Sequence, residues 1–307
     1  MARRRKGKAV HGWLVLDKPA GMTSTQAVAA VRRTFDARKA GHAGTLDPLA
    51  TGILPIALGE ATKTVPYAVE GQKDYAFTVR WGTATDTDDA EGRIVATAEV
   101  RPQRQEVEAL LAAFTGEILQ VPPAFSAVKI DGERAYDLAR AGEAVELEAR
   151  LVHIEALALN DCPDGDTAVF VARCGKGTYV RALARDMGRA LGCLGHVVAL
   201  RRTRVGCFAE AHAVTMEALR TAAAEGEEEV RHLLRPVEAV LGDLAALSVG
   251  HDDAARLLRG QPVLVRGHGP YVPGPAYATC KGRLVAVGHI DRGEMRPTRV
   301  FNFAEDR

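Results

Sequence analysis

No stretch of the chain approaches the ~18 consecutive apolar residues that a membrane-spanning helix needs. The basic opening is followed by Ala9-Val10-His11-Gly12-Trp13, which is no signal-peptide core. No membrane association is expected, and the location implied is cytoplasmic. The five cysteines are odd in number and none stands in a CxxC pair, against both a disulfide framework and a cysteine zinc site. Reduced and mostly buried thiols are expected instead. Nine histidines show no HExxH-type spacing, so no metal is inferred. An excess of charge is missing too. A formal net charge of +1 ordinarily argues against a polyanionic partner. The average hides an asymmetry, because Arg3, Arg4, Arg5, Lys6 and Lys8 are all positive and the remaining chain sums to −4.

What is present is an ordinary globular composition over 307 residues, 47% apolar and 26% charged, enough for about two domains. Trp13-Leu-Val-Leu-Asp17 reads as a short buried strand, and Thr23 or Ser24 can cap a helix carrying Ala27, Val28 and Val31. Tyr75, Phe77, Val79 and Trp81 alternate with Ala76, Thr78 and Arg80, a half-buried strand. Val107, Leu110, Leu111 and Phe114 at helical spacing place a helix over 102–114, starting at Pro102. Strands over 151–159 and 167–174 flank the turn signal Pro163-Asp164-Gly165. A helix with Val180, Leu183, Ala184, Met187 and Leu191 on one side follows. The acidic run 225–229 reads as a solvated helix face or connector. Beyond 245, a short helix from Asp252 to Leu258 and Val/Leu runs at 263–265 and 284–287, separated by Gly and Pro, predict a small β-rich module. Strands and helices mix without βαβ alternation. The class expected is therefore α+β, a largely antiparallel mixed sheet with packed helices.

Three segments can carry chemistry. Gly41-His-Ala-Gly-Thr-Leu-Asp-Pro-Leu-Ala-Thr-Gly52 is too rich in glycine and proline for regular structure. Its Asp47 either caps a turn before Pro48 or serves as a fixed nucleophilic carboxylate. Cys174-Gly-Lys-Gly-Thr-Tyr-Val-Arg181 lies between a strand and a helix but fails the phosphate-loop pattern, since Gly177 separates Lys176 from Thr178. It also fails the dinucleotide pattern, which needs glycine where Val180 stands. Arg181 sits in the first turn of a helix, where the dipole disfavours a cation. It either points to solvent or has an acid waiting for it. Arg201, Arg202 and Arg204 read equally as a solvated basic edge or an RNA-backbone contact.

Taken in order, these segments resemble the bacterial TruB-type tRNA pseudouridine synthases. Gly12-Trp-Leu-Val-Leu-Asp-Lys-Pro-Ala-Gly-Met-Thr-Ser24 matches the family's opening motif, and Gly41 to Gly52 its catalytic loop. Lys73-Asp-Tyr75, Pro122-Pro-Ala-Phe-Ser-Ala-Val-Lys129 and Cys174 to Arg181 match further blocks. Gly282-Arg-Leu-Val-Ala-Val-Gly288 and Pro297-Thr-Arg-Val-Phe301 resemble a small RNA-binding PUA-type module. The resemblance implies a pseudouridine-synthase fold over 10–240 and a PUA-like module over 245–307; the basic start, read from composition alone and matching no family motif, is expected as a flexible arm over 1–9. The resemblance also implies isomerisation of uridine 55 in the T-loop of tRNA, without a cofactor, by a chain acting alone as a monomer.

By resemblance Asp47 is the catalytic aspartate, paired with Arg181, and Tyr75 stacks on the flipped uracil and acts in deprotonation at C5. Tyr179 and Leu200 contact the base, and His42 fills the gap left in the RNA stack. Lys18 and Lys63 support the site, Lys18 on its substrate side. Residues 124–150, with Lys129, Arg134, Tyr136 and Arg140, resemble an insertion that clamps the T-arm. Two other functions fit less of the sequence: a non-catalytic tRNA-binding or folding protein, and a synthase acting on another RNA. The intact set Asp47, Tyr75 and Arg181 argues against the first.

Overall fold

The computed structural model describes residues 7–126, 128–130, 133–136, 147–265 and 273–303. In chain order the strands are Gly12–Lys18 (β1), Ala40–His42 (β2), Thr51–Leu58 (β3), Lys73–Trp81 (β4), Thr83–Thr85 (β5), Ile94–Thr97 (β6) and Gly116–Gln120 (β7). Lys129–Ile130 (β8), Glu133–Arg134 (β9), Arg150–Asp164 (β10), Thr167–Cys174 (β11), Gly195–Val205 (β12), Phe208–Ala209 (β13) and Val214–Thr215 (β14) follow. Ala245–Ser248 (β15), Val263–Leu264 (β16), Gly274–Cys280 (β17), Arg283–Asp291 (β18) and Glu294–Val300 (β19) form the C-terminal sheet.

β1 and β3 are apolar and buried along nearly their whole length, as strands covered on both faces must be. β4 and β11 alternate instead, and Phe77 stacks on its cross-strand neighbour Phe170 with centroids 5.3 Å apart. The large sheet runs β14-β1-β3-β12-β4-β11-β10-β7, with β2 beside β3 and β13 beside β12. Among its described pairings only β1–β14 and β3–β12 are parallel, so the sheet is mixed and largely antiparallel as the sequence pattern implies. Helix Ser24–Thr34 starts at a capping box between Thr23 and Gln26. Helix Val180–Ala190 buries Val180, Leu183, Ala184 and Met187 and packs on β12. The expected helix over 102–114 is shorter: Gln103 and Glu106 form its capping box, leaving Pro102 outside, and after Leu110 it tightens into a 3₁₀ turn.

The acidic run acquires a partner. Glu227 opens helix Glu227–His232, where the dipole favours an anion, and takes both Arg231 (2.9 Å) and the Lys8 ammonium. Around it, the Lys8 N–H donates to Asp36 O (2.6 Å) and Arg38 Nε donates to Gly7 O (2.7 Å). Residues 7–9 are thus held against the catalytic body, which corrects the expected arm over 1–9; residues 1–6 lie outside the described residues. The thiols also differ from expectation, since only Cys174 and Cys193 are buried and Cys207 is exposed.

The C-terminal sheet has the order β15-β17-β18-β19-β16, with helix His251–Leu258 packed on it. Gly267, Gly269 and Pro270, expected as separators there, lie outside the described residues. The module is not a loose appendage: Leu284, Val287 and Phe301 share an apolar cluster with Trp13, Ile53, Val237 and Leu241. Lys63 Nζ donates to Val300 O (2.8 Å) and Glu60 accepts from the Asn302 N–H (2.8 Å). Lys63 is accordingly a tether of this module.

His11 lies in the same seam, edge-on to Phe303, its Nδ1 accepting the Glu60 N–H at 3.0 Å. Burial pushes the imidazole below its ordinary value; Glu60 opposes this, while Arg283, Lys63 and Arg231 reinforce it. The folded state therefore binds its proton less readily than the unfolded chain. The stability His11 contributes is present above pH ~6.5 and is lost as pH falls toward the lower folded value. His11→Asn, which keeps an acceptor but cannot titrate, is expected to lose less in thermal midpoint between pH 7 and 5 than the parent. Equal losses in a melting series would exclude His11 as the titrating group.

Candidate active site

One transverse row of the large sheet forms the floor of the site. Lys18 on β1 stands opposite Gly52 on β3, Gly52 opposite Arg202 on β12, and Arg202 opposite Tyr75 on β4. Residues directly opposite share a face. Lys18, Arg202 and Tyr75 therefore project to the same side. Gly52 has to be glycine: its φ is +98°, and a Cβ there would come within 2.2 Å of the Arg202 carbonyl oxygen.

Over that floor passes the loop from β2 to β3, tied down almost wholly through its main chain. Ser24 Oγ donates to Leu46 O (2.9 Å) and accepts from the Leu46 N–H (2.8 Å). The Gly21 N–H donates to Pro48 O (2.8 Å). Lys18 Nζ donates to Met22 O (2.8 Å), Pro19 O (2.9 Å) and Pro48 O (3.4 Å). Arg202 donates to Ile53 O (2.8 Å), Gly44 O (3.0 Å) and Thr45 O (3.2 Å). These ties fix where Asp47 sits without using its carboxylate.

That carboxylate meets Arg181, with Nε 2.9 Å from Oδ2. Arg181 is only 6% exposed at its side chain, and its remaining donors are also engaged. Nη1 donates to Thr87 O (2.8 Å) and lies 3.5 Å from Asp89 Oδ2, and Nη2 donates to Phe125 O (2.9 Å). Asp89 is itself buried, accepting from Thr87 Oγ1 (2.6 Å) and the Glu91 N–H (3.0 Å). The cation in a helix's first turn is thus answered by two carboxylates. Asp47 differs from Asp89 in being 34% exposed, which leaves one face open to solvent.

Tyr75 is half-buried beside this pair. Burial pushes its phenol above the ordinary value, while the Arg202 charge pulls the other way; Asp47 is near enough to add to the rise. Tyr179 caps helix Val180–Ala190, its backbone N–H donating to Gln120 Oε1 (2.8 Å) and its carbonyl accepting from Gln120 Nε2 (3.2 Å). Burial raises its phenol as well. Leu200 lines the sheet, almost buried, and His42 sits half-buried at the end of β2, opposite Ile56.

Three expectations need correction. Lys18 has no exposed surface, so it staples the loop and does not face a substrate. Burial lowers its ammonium to about 8, against Asp47 and Glu91, which hold it up. The arginine stretch is not one basic edge: Arg202 turns inward, while Arg201 and Arg204 stay about one-third exposed and ion-paired. Arg201 is chelated by Asp17 (3.0 Å to each oxygen) and Glu210 (2.6 Å), Arg204 pairs with Asp74 (2.9 Å), and Arg202 is 1% exposed. The sequence reading missed Asp89 and the inward turn of Arg202. The signal for Arg202 was there, since it follows Leu200 by two on a strand and must share its inward face. Of the segment 124–150, the Tyr136 ring packs edge-on to Phe125. Arg140 lies outside the described residues, as do 127, 131–132 and the rest of 137–146.

The architecture is that of the pseudouridine synthases. It superposes on Cbf5 in a crystal structure of a Cbf5–Nop10–Gar1 complex with a TM-score of 0.73 at 25% identity, covering 96% of this chain and 85% of that one. Residues 32–180 match the TruB family pseudouridylate synthase N-terminal domain, and residues 181–242 the tRNA pseudouridylate synthase B C-terminal domain. The tRNA pseudouridine synthase B of Bradyrhizobium diazoefficiens is 60% identical over 303 residues, 97% of this chain and 88% of the relative. That of Agrobacterium fabrum is 54% identical over 307 residues, 97% of each. The chain belongs to the TruB family of pseudouridylate synthases.

Proposed function

We propose that this chain isomerises uridine 55 in the T-loop of tRNA to pseudouridine, with Asp47 as the nucleophile. The observation that carries the reading is the Asp47–Arg181 pair: an ionic carboxylate with one open face, on a loop immobilised through its main chain. That both relatives are tRNA pseudouridine synthases supports the substrate class. The reaction breaks the C1′–N1 bond, turns the uracil and forms C1′–C5; the C5 proton leaves and N1 gains one, so nothing is consumed and no cofactor is needed. A T-loop uridine has to be extruded, at a cost of a few kcal/mol, to reach a carboxylate inside the fold. Tyr75 stacks on the flipped base and takes part in the deprotonation at C5, Tyr179 and Leu200 bound the pocket, and His42 fills the vacated place in the RNA stack. Arg181 orients Asp47. The C-terminal β module, PUA-like in this reading, contacts the RNA beyond the T-arm. The protein acts alone, as a cytoplasmic monomer.

Incubating the protein with unmodified tRNA and mapping pseudouridines tests this directly. A single modification at position 55 is the expected outcome; modification elsewhere, or none, overturns it. The basic start contributes through phosphates. Deleting residues 2–6 is expected to weaken tRNA binding most at low salt and to make the dependence of log K on log salt shallower by about 0.9 per lost phosphate contact. A filter-binding series with unchanged slope would show that Arg3, Arg4, Arg5 and Lys6 make none.

A further inference from the structure

We propose that Arg202 is a positioning residue of the reaction, holding the Asp47 loop and the Tyr75 hydroxyl in one fixed relation from beneath the site. The inference rests on the isomerase reading above and deepens it.

Arg202 is the interior of the loop. Its Nε and both terminal nitrogens donate to Ile53 O, Gly44 O and Thr45 O, three carbonyls that enclose the stretch carrying Asp47. Both glycines of that stretch are shaped around it. Gly52 lies against its backbone, and Gly44, with φ at +96°, would bring a Cβ to 3.4 Å from Nη1. Tyr75 stands directly opposite Arg202 across the β12–β4 pairing, on the same face of the sheet, and the guanidinium pulls its phenol downward against the effect of burial.

A guanidinium has donors only. A planar, always-charged fork can hold three carbonyls together; a lysine has neither the reach nor the fixed directions. At 1% exposure Arg202 cannot meet RNA, so it acts only through Asp47 and Tyr75. Among the described residues no carboxylate hydrogen-bonds its charge, an arrangement costly in stability alone and explained by a need to set two reacting groups at once.

Arg202→Lys and Arg202→Met separate the possibilities. Single-turnover pseudouridine formation on T-arm RNA is expected to fall about 100-fold in each, as displacement of reacting groups by an ångström can produce. RNA binding should stay near the parent value. In 13C-tyrosine NMR, with Tyr75→Phe identifying the signal, the Tyr75 phenol should titrate at higher pH in Arg202→Met. Combining either change with Tyr75→Phe should cost less than the two singly, because part of the Arg202 effect runs through Tyr75. Should Arg202→Met not fold, Arg202→Lys decides. A rate within about threefold of the parent overturns the proposal, as does a rate loss matched by lost RNA binding or an unmoved Tyr75 titration. A parent protein forming no pseudouridine would instead defeat the isomerase reading itself.

Discussion

Asp47→Asn is expected to abolish pseudouridine formation, lowering the single-turnover rate by about 10⁴-fold or more, while tRNA binding stays near the parent value. The size follows from chemistry: a neutral amide can neither attack nor stabilise positive charge at C1′. The survival of binding follows from the structure. Ser24, Gly21, Lys18 and Arg202 hold the loop through its main chain, so exchanging one oxygen for an amide leaves those ties in place. Arg181 does not become an unpaired buried charge, because Asp89 remains 3.5 Å away and the carbonyls of Thr87 and Phe125 still accept from it. Stability should change by no more than about 1 kcal/mol, since the lost partner is one-third exposed. A tritium-release assay on 5-tritiated T-loop RNA, paired with a binding isotherm, reads both quantities. Turnover near the parent rate would end the assignment of Asp47.

Local signals carried the fold further than the site. The alternation from Tyr75 to Trp81 and the box from Thr23 to Gln26 are written within a few residues, and the strand and the helix form there. The loop from Gly41 to Gly52 declares itself by residues that regular structure cannot hold. Arg181 could be argued to have an acid waiting because its dipole environment is local. Which acid, the residues alone do not tell; only the family resemblance names Asp47. Asp47 lies 134 residues away in sequence, and nothing near Asp86, Asp88 or Asp89 tells which of the three is turned inward. The arginines at 201, 202 and 204 show the same limit: one strand sends them to three destinations set by other elements.

Those destinations also explain why net charge was a poor guide. Arg173 and Arg204 are spent on Asp74, Arg185 on Asp88 and Asp186, Arg201 on Asp17 and Glu210, Lys8 on Glu227. A formal sum near zero is what remains when many charges are paired internally. It does not describe the face an RNA would meet. Binding here should draw on the shape of the T-arm and the extruded base together with whatever cations stay unpaired.

Arg181→Lys should be the second severe lesion, with the rate falling about 10²- to 10³-fold and tRNA affinity barely changed. Arg181 serves Asp47, Asp89 and the carbonyls of Thr87 and Phe125 from one planar group. An ammonium on a shorter stem keeps the charge but cannot span those acceptors. It is expected to settle between Asp89 and the carbonyls, the deeper partners, and to let the Asp47 carboxylate turn. The defect should therefore be in orientation, so the rate suffers and binding does not; a side chain 6% exposed has no surface to offer RNA. Arg181→Met provides the contrast. It leaves a buried Asp89 without its counter-charge, which should cost about 3–5 kcal/mol and lower the thermal midpoint clearly. If the lysine variant instead keeps its rate and loses affinity, Arg181 acts on the RNA and not on Asp47. If both variants melt alike and turn over alike, the charge is structural and the pairing with Asp47 is incidental to the reaction.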